Sequence, residues 1–210
     1  RFMENWLETE RGKQNLKQKI FKLTWQVALA FVLLTAVFAI YFYQNAELAE
    51  QIRDMYLPKA ESVMNEDGTL SYVGIVMNNV FACAMCIGMG CVPFLFLPAL
   101  SVLSNGMIIG ALLGLGAAAG TISPLPAIVY GLLPHGIFEL PAFFLSMAMG
   151  IYLCKTLTKK LLGKAKEEKI LTMLNHLAKT FVLVVIPLLI IAAVVECNIT
   201  PMILKGAGFR

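Results

Sequence analysis

From Ser71 to Cys154 the chain carries a single formally charged side chain, Glu139. A soluble domain of ordinary composition has about one charged residue in four, so a stretch like this cannot form the surface of a water-soluble protein. Over the whole chain, 59% of the residues are hydrophobic and 14% are charged. This composition predicts an integral membrane protein. At 210 residues, a single membrane domain is the simplest organisation.

Several apolar runs are long enough to cross a bilayer, because about 20 apolar residues span the hydrocarbon core. The first run, residues 25–43, has no charge. Trp25 and the tyrosines Tyr41 and Tyr43 mark its two ends, as is typical of the aromatic belts at membrane interfaces. Four more runs follow, at residues 71–100, 101–121, 126–154 and 181–197. We therefore predict an all-α polytopic membrane helical bundle with about five transmembrane spans.

The prolines indicate where these spans depart from straight helices. Pro93 and Pro98 are expected to kink the second run or to end it early. The fourth run would be roughly 43 Å long as one helix at 1.5 Å per residue, whereas the core is about 30 Å thick. That span therefore tilts strongly or breaks at Pro134, because proline is favoured at the first helical position. A break would leave residues 125–133 as a short re-entrant piece.

The charges outside the spans predict an orientation. Residues 1–24 form a basic arm, cytoplasmic or interfacial, and residues 155–180 form a basic inner loop with seven lysines. Residues 44–70 form an acidic outer loop with six acidic and two basic side chains. We therefore predict a protein of the cell membrane. The positive-inside rule places its N-terminus in the cytoplasm. Five spans within one transmembrane domain, residues 25–201, put the C-terminus outside.

Polar side chains inside the spans predict a functional site. His135 and Glu139 are four residues apart, so they share one face of a helix. An ionisable group within the membrane is costly, and it usually faces the bundle interior and a partner. The predicted topology places three further polar residues at a similar depth in the outer half of the membrane: Asn78, Asn79 and Glu196. Asn105 is expected nearer the inner face.

These residue types allow more than one chemistry. A neutral carboxylic acid or imidazole can transfer protons, which makes His135 and Glu139 the candidate catalytic residues. Together with Glu196 they could also bind a metal ion such as zinc, which accepts nitrogen and oxygen ligands. The same pair could instead be a structural hydrogen bond between helices. The spacing H-x-x-x-E is not the H-E-x-x-H pattern of metalloproteases.

Small residues indicate how the third span packs. Gly106, Gly110 and Gly114 repeat every four residues, as in the small-xxx-small faces on which membrane helices approach closely. Such a face makes a homodimer a reasonable expectation. The five cysteines lie in apolar runs or at the end of one, so we interpret them as small buried hydrophobic residues and expect no structural disulfide.

Four segments resemble the stage II sporulation protein M superfamily, and they occur in the expected order: "MNNVFACAMCIGMG", "SNGMIIGALLG", "LPHGIFELPAFFLSMAMG" and "AAVVECNITP". The resemblance covers about residues 70–201. It implies a bacterial or archaeal membrane protein with about five helical spans. The founding member of that superfamily acts in engulfment during sporulation, as a membrane scaffold that gathers cell-wall hydrolases. Other members are associated with gene clusters for circular bacteriocins.

Three hypotheses of function follow. The leading one is a non-enzymatic protein that organises a membrane complex or assists export, with the lipid bilayer and other membrane proteins as partners and no role for nucleic acid. The second is a membrane-embedded metal-dependent hydrolase or peptide-processing enzyme, and the third is a small transporter. An enzyme requires an open cavity that holds metal or water beside Glu139. A scaffold requires only a closed hydrogen-bonded pair.

Overall fold

The computed structural model describes residues 2–65, 67–120, 123–164 and 170–206, and the side chains of these except residues 2–11, 13, 59 and 60. This part of the chain forms six helices and no strand: α1 (Phe2–Gln44), α2 (Ala46–Glu61), α3 (Tyr72–Met89), α4 (Leu97–Ala118), α5 (Pro124–Leu161) and α6 (Ile170–Gly206). All except α2 are long and apolar enough to cross a membrane. The prediction of an all-α bundle with about five spans is therefore confirmed.

Helix α1 joins the predicted basic arm to the first span without interruption. It is 43 residues long, or about 65 Å at 1.5 Å per residue. That is about twice the thickness of the hydrocarbon core. The part of α1 that is long and apolar enough to cross a membrane is Gln14–Gln44. The helical turns before it therefore extend beyond the membrane.

The predicted acidic loop consists of α2 and a hydrogen-bonded turn. Within the turn, the backbone N–H and the hydroxyl of Thr69 both donate to Asp67 Oδ1, at 2.9 and 2.6 Å. These hydrogen bonds lower the pKa of the Asp67 carboxyl below its ordinary value. The Gly74 N–H then donates to Ser71 Oγ at 3.1 Å, which caps the first turn of α3.

Helix α3 ends at Met89, before Pro93, as the prolines predict. The connection to α4 contains two phenylalanines in the left-handed backbone region, Phe94 (φ 68°) and Phe96 (φ 47°). A non-glycine residue seldom adopts this conformation. The Phe94 N–H donates to Thr158 Oγ1 at 2.8 Å, which ties this connection to α5.

Helix α5 changes its type where the sequence predicts a break. Residues Ala127–Leu132 form a π-helix, and regular α-helix follows from Leu133. Because proline lacks an N–H and its ring crowds the preceding turn, the wider π turns before Pro134 accommodate it without ending the helix. Residues 125–133 therefore run on into α5 and do not form a separate re-entrant piece.

Helix α6 is longer than the predicted last span. It begins at Ile170 and contains two π-helical segments, Phe181–Val185 and Val195–Ile199. Since α5 continues to Leu161, most of the predicted basic loop is helical where the structure describes it. Within that loop, residues 165–169 lie outside the described residues.

Helix α5 occupies the centre of the bundle and contacts α1, α3, α4 and α6. Its residues 146–150 are all buried. At Gly150 a Cβ atom would overlap the carbonyl oxygen of Cys86, and a Cβ atom on Gly90 would overlap the carbonyl oxygen of Gly150. Helices α3 and α5 thus meet backbone to backbone at this point. All five cysteines are free.

Candidate functional site

A polar cavity of about 680 Å³ lies beside α5, between α3 and α4. Polar side chains from four helices line it: Asn78, Asn79, Ser101, Asn105, His135, Glu139 and Glu196. The structure thus brings all five residues of the predicted intramembrane site to one cavity. Ser101 and Asn105 of α4 are additional. Asn105 reaches the polar cavity because the cavity follows α3 for most of its length, from Ile75 to Met89.

His135 and Glu139 face each other without forming a hydrogen bond. His135 Nε2 lies 4.0 Å from Glu139 Oε2, beyond hydrogen-bonding distance. The two side chains are 13% and 20% exposed, and both line the polar cavity. Both members of the pair therefore contribute to the wall of the polar cavity.

Glu196 completes a group of three potential metal ligands. One ligand atom from each of His135, Glu139 and Glu196 can be chosen so that all three lie within 4.8 Å of one another. Glu196 belongs to the second π segment of α6, Val195–Ile199. The three atoms are close enough for small side-chain rotations to direct them at one ion.

Thr200 lies within hydrogen-bonding distance of the His135 imidazole. Its hydroxyl donates to the Val195 carbonyl at 3.3 Å, five residues earlier. Thr200 Oγ1 also lies 3.4 Å from His135 Nδ1. In the tautomer that has its proton on Nδ1, this nitrogen donates to Thr200 Oγ1, and Nε2 has its lone pair on the side of Glu139. Histidines that bind metals are commonly held in this way, by a hydrogen bond at the other ring nitrogen.

His135, Glu139, Glu196 and Thr200 are here called the polar network. The two asparagines of α3, Asn78 and Asn79, extend it. Asn78 Nδ2 donates to Asn79 Oδ1 at 3.2 Å. Asn79 is only 7% exposed, and its side chain lies within hydrogen-bonding reach of the Glu139 carboxylate. Adjacent residues on a helix point in different directions. Asn78 is nevertheless connected to the site, because its side chain is hydrogen-bonded to that of Asn79.

The polar cavity extends to the outside of the bundle. Phe81 and Met85 line it, yet they are 66% and 44% exposed. Both lie in the middle of α3, a helix long and apolar enough to cross a membrane. These two side chains therefore connect the lining of the polar cavity with the exposed face of α3.

The glycines of α4 lie on α1, away from the three potential metal ligands. A Cβ atom on Gly110 would come within 2.6 Å of Phe38 Cβ, and one on Gly114 within 2.6 Å of the Ala39 carbonyl oxygen. Gly106 approaches Leu34 in the same way. Helix α1 of the same chain thus covers this face, which leaves no room there for a second copy. The face formed by Gly106, Gly110 and Gly114 therefore packs within the chain, and the homodimer stays a prediction.

The family model for stage II sporulation protein M matches residues 28–201. The chain belongs to the stage II sporulation protein M family. This confirms the resemblance, and the matched range contains every side chain of the polar network. Membership of the stage II sporulation protein M family and the five apolar helices together make the chain a multi-pass membrane protein.

Individual relatives add little about chemistry. An uncharacterised protein of Methanocaldococcus jannaschii is 37% identical over 107 residues, which are 50% of this chain and 57% of that protein. The match thus spans less than two thirds of that relative's length. No solved structure matches this member of the stage II sporulation protein M family.

Proposed function

We propose that this member of the stage II sporulation protein M family is a membrane-embedded, metal-dependent hydrolase. His135, Glu139 and Glu196 would hold the ion. The observation that carries the proposal is the convergence of their ligand atoms within 4.8 Å of one another beside an open cavity of about 680 Å³.

Charge balance supports a cation at this place. Two carboxyl groups, those of Glu139 and Glu196, line the polar cavity, and no lysine or arginine lines it in the described part of the chain. Carboxylates within a membrane bundle are costly unless they are paired. A divalent ion would offset both charges at once. One imidazole and two carboxylates are ligands that zinc accepts.

The cavity supplies what hydrolysis requires besides the ligands. Zinc with three protein ligands keeps a position for water and makes that water a nucleophile at neutral pH. The amide groups of Asn78 and Asn79 line the same space, where they would donate hydrogen bonds to the oxygen of a carbonyl under attack. Because the exposed side chains of Phe81 and Met85 belong to the cavity lining, we propose that the substrate enters from the lipid side and carries an amide or ester bond.

Metal analysis of the purified full chain tests the proposal. We expect stoichiometric zinc in the wild type after zinc loading and dialysis, and its loss in His135→Ala, Glu139→Gln and Glu196→Gln. Glu61→Gln is the matched control, because Glu61 is exposed at the end of α2, so this variant should retain the metal. A wild-type protein that takes up no divalent metal would refute the proposal.

A second candidate is the organisation of a membrane complex or assistance to export. The observation in its favour is membership of the stage II sporulation protein M family. In that case the polar network only stabilises the bundle. The three variants would then lower thermal stability without any loss of metal, and associated membrane proteins would still be recovered with each variant that folds.

A further inference from the structure

A second cavity, here called the basic cavity, has a volume of about 640 Å³. Five lysines line it: Lys19, Lys22, Lys155, Lys159 and Lys164. No acidic side chain lines it in the part of the chain that the structure describes. The proposed hydrolase makes no use of this cavity, so its concentration of positive charge requires another explanation.

The lysines come from segments far apart in the sequence. Lys19 and Lys22 are three residues apart on α1, and Lys155 and Lys159 are four apart on α5, so each pair occupies one helix face. The two helices pack through a shared cluster that includes Phe31 of α1 and Met147 of α5. This packing turns the two pairs toward one space.

The walls of the basic cavity are mixed in character. Leu23, Phe96 and Ile151 contribute apolar surface, and the side chains of Gln26 and Thr156 contribute hydrogen-bonding groups. Phe96 holds the left-handed backbone conformation at the start of α4. A ligand in this space would therefore meet cations, hydrogen-bonding groups and hydrocarbon together.

The position along the helices matches the headgroup level of a bilayer. On α1 the lysines precede Trp25, which is 65% exposed and starts the uncharged run. On α5 the uncharged run ends at Cys154, directly before Lys155. Exposed tryptophan at the end of a span is typical of the membrane interface. The basic cavity thus lies where both spans leave the hydrocarbon core.

We infer that the basic cavity binds the phosphate of an anionic phospholipid headgroup. Basic cavities between membrane helices are suited to such headgroups, and ligand cavities commonly measure about 300–1,000 Å³. A soluble phosphate shares the chemistry of the phosphate group, but it would leave the apolar walls without a contact. The glycerol and upper acyl chain of a lipid cover those walls.

Native mass spectrometry of the full chain in detergent, with phosphatidylglycerol or phosphatidylcholine added, tests this inference. The test variant is Lys22→Gln/Lys155→Gln/Lys159→Gln. The matched control, Lys160→Gln/Lys179→Gln/Lys205→Gln, removes the same charge from exposed lysines that do not line the cavity. We expect the wild type and the control to bind phosphatidylglycerol preferentially, and the test variant to bind it roughly tenfold more weakly or worse.

Two further arms separate lipid binding from other causes. Replacing the same three lysines by arginine keeps the charge, so it should preserve lipid binding. Excess inorganic phosphate should not displace the lipid, because phosphate alone makes no apolar contact. Equal binding of phosphatidylglycerol by the test and control variants would overturn the inference. So would loss of binding in a folded arginine variant, or displacement of the lipid by inorganic phosphate.

Discussion

At the scale of single residues, we expect the His135 imidazole to depend on Thr200 for its orientation, because Thr200 Oγ1 lies 3.4 Å from Nδ1. Thr200 is 7% exposed, and valine has nearly its shape without the hydroxyl. Thr200→Val removes the acceptor for Nδ1–H, so Nε2 is no longer held toward the carboxylates. Losing such a supporting hydrogen bond typically weakens metal binding about 10–100-fold. We expect a loss of this size, measured by zinc titration against a competing chelator.

Thr200→Ser is the control for this prediction. Serine keeps the hydroxyl that lies 3.4 Å from His135 Nδ1, so zinc affinity should stay close to that of the wild type. Both variants should fold, because only a methyl group or a hydroxyl changes. If Thr200→Val binds zinc as tightly as Thr200→Ser, the hydrogen bond does not orient the imidazole.

The sequence predicts part of this residue-scale picture. His135 and Glu139 share a face because helical periodicity places them there, and the depth of Glu196 follows from counting spans. The contact of Thr200 with His135 could not be predicted. It depends on the π segment Val195–Ile199, which shifts the side chains that follow relative to an α-helix. The sequence of Val195–Ile199 contains no recognised signal for a π-helix.

At the scale of elements, the glycines of α4 bring this helix into close contact with α1. A Cβ atom on Gly110 would lie 2.6 Å from Phe38 Cβ and 2.9 Å from the Thr35 carbonyl oxygen, so Gly110→Ala must push the helices apart. Overpacking of this kind typically costs about 1–3 kcal/mol. We expect the free energy of unfolding to fall by that amount, measured by denaturant titration in mixed micelles.

Gly88→Ala is the matched control for the α1–α4 contact. Gly88 lies in α3, and a Cβ atom there would meet nothing within 4 Å. Alanine is a better helix former than glycine by roughly 0.5–1 kcal/mol, so this variant should be as stable as the wild type or slightly more so. Equal losses in both variants would contradict the packing argument.

The number and order of the spans were predictable because hydrocarbon imposes a minimum apolar length. The ends of the helices were not. Hydropathy marks where the chain is apolar, whereas α5 continues through Lys159 and Lys160 to Leu161. Long lysine side chains can extend toward water while their backbone stays helical. For this reason the loops predicted at residues 44–70 and 155–180 are largely helix in the described chain.

At the scale of the whole molecule, the fold separates charge between its two ends. Lys19 and Lys22 near the start of the first span line the same cavity as Lys155, Lys159 and Lys164. At the other end, α2 packs against α1 and α4 through Ala49, Phe42 and Ala111, next to the turn at Asp67. Two segments that are both basic in sequence are thus adjacent in space, as the positive-inside rule requires of segments on one side.

This arrangement predicts which end faces the cytoplasm, and cysteine labelling in intact cells measures it. The background replaces Cys91 and Cys197 with serine; Cys83, Cys86 and Cys154 are buried and can remain. In this background, Glu61→Cys should react with a membrane-impermeant maleimide, because the acidic end faces outward. Leu162→Cys, between the basic helix ends, should react only after the cells are permeabilised. Labelling of Leu162→Cys but not Glu61→Cys in intact cells would reverse the orientation and would place the basic cavity in the outer leaflet.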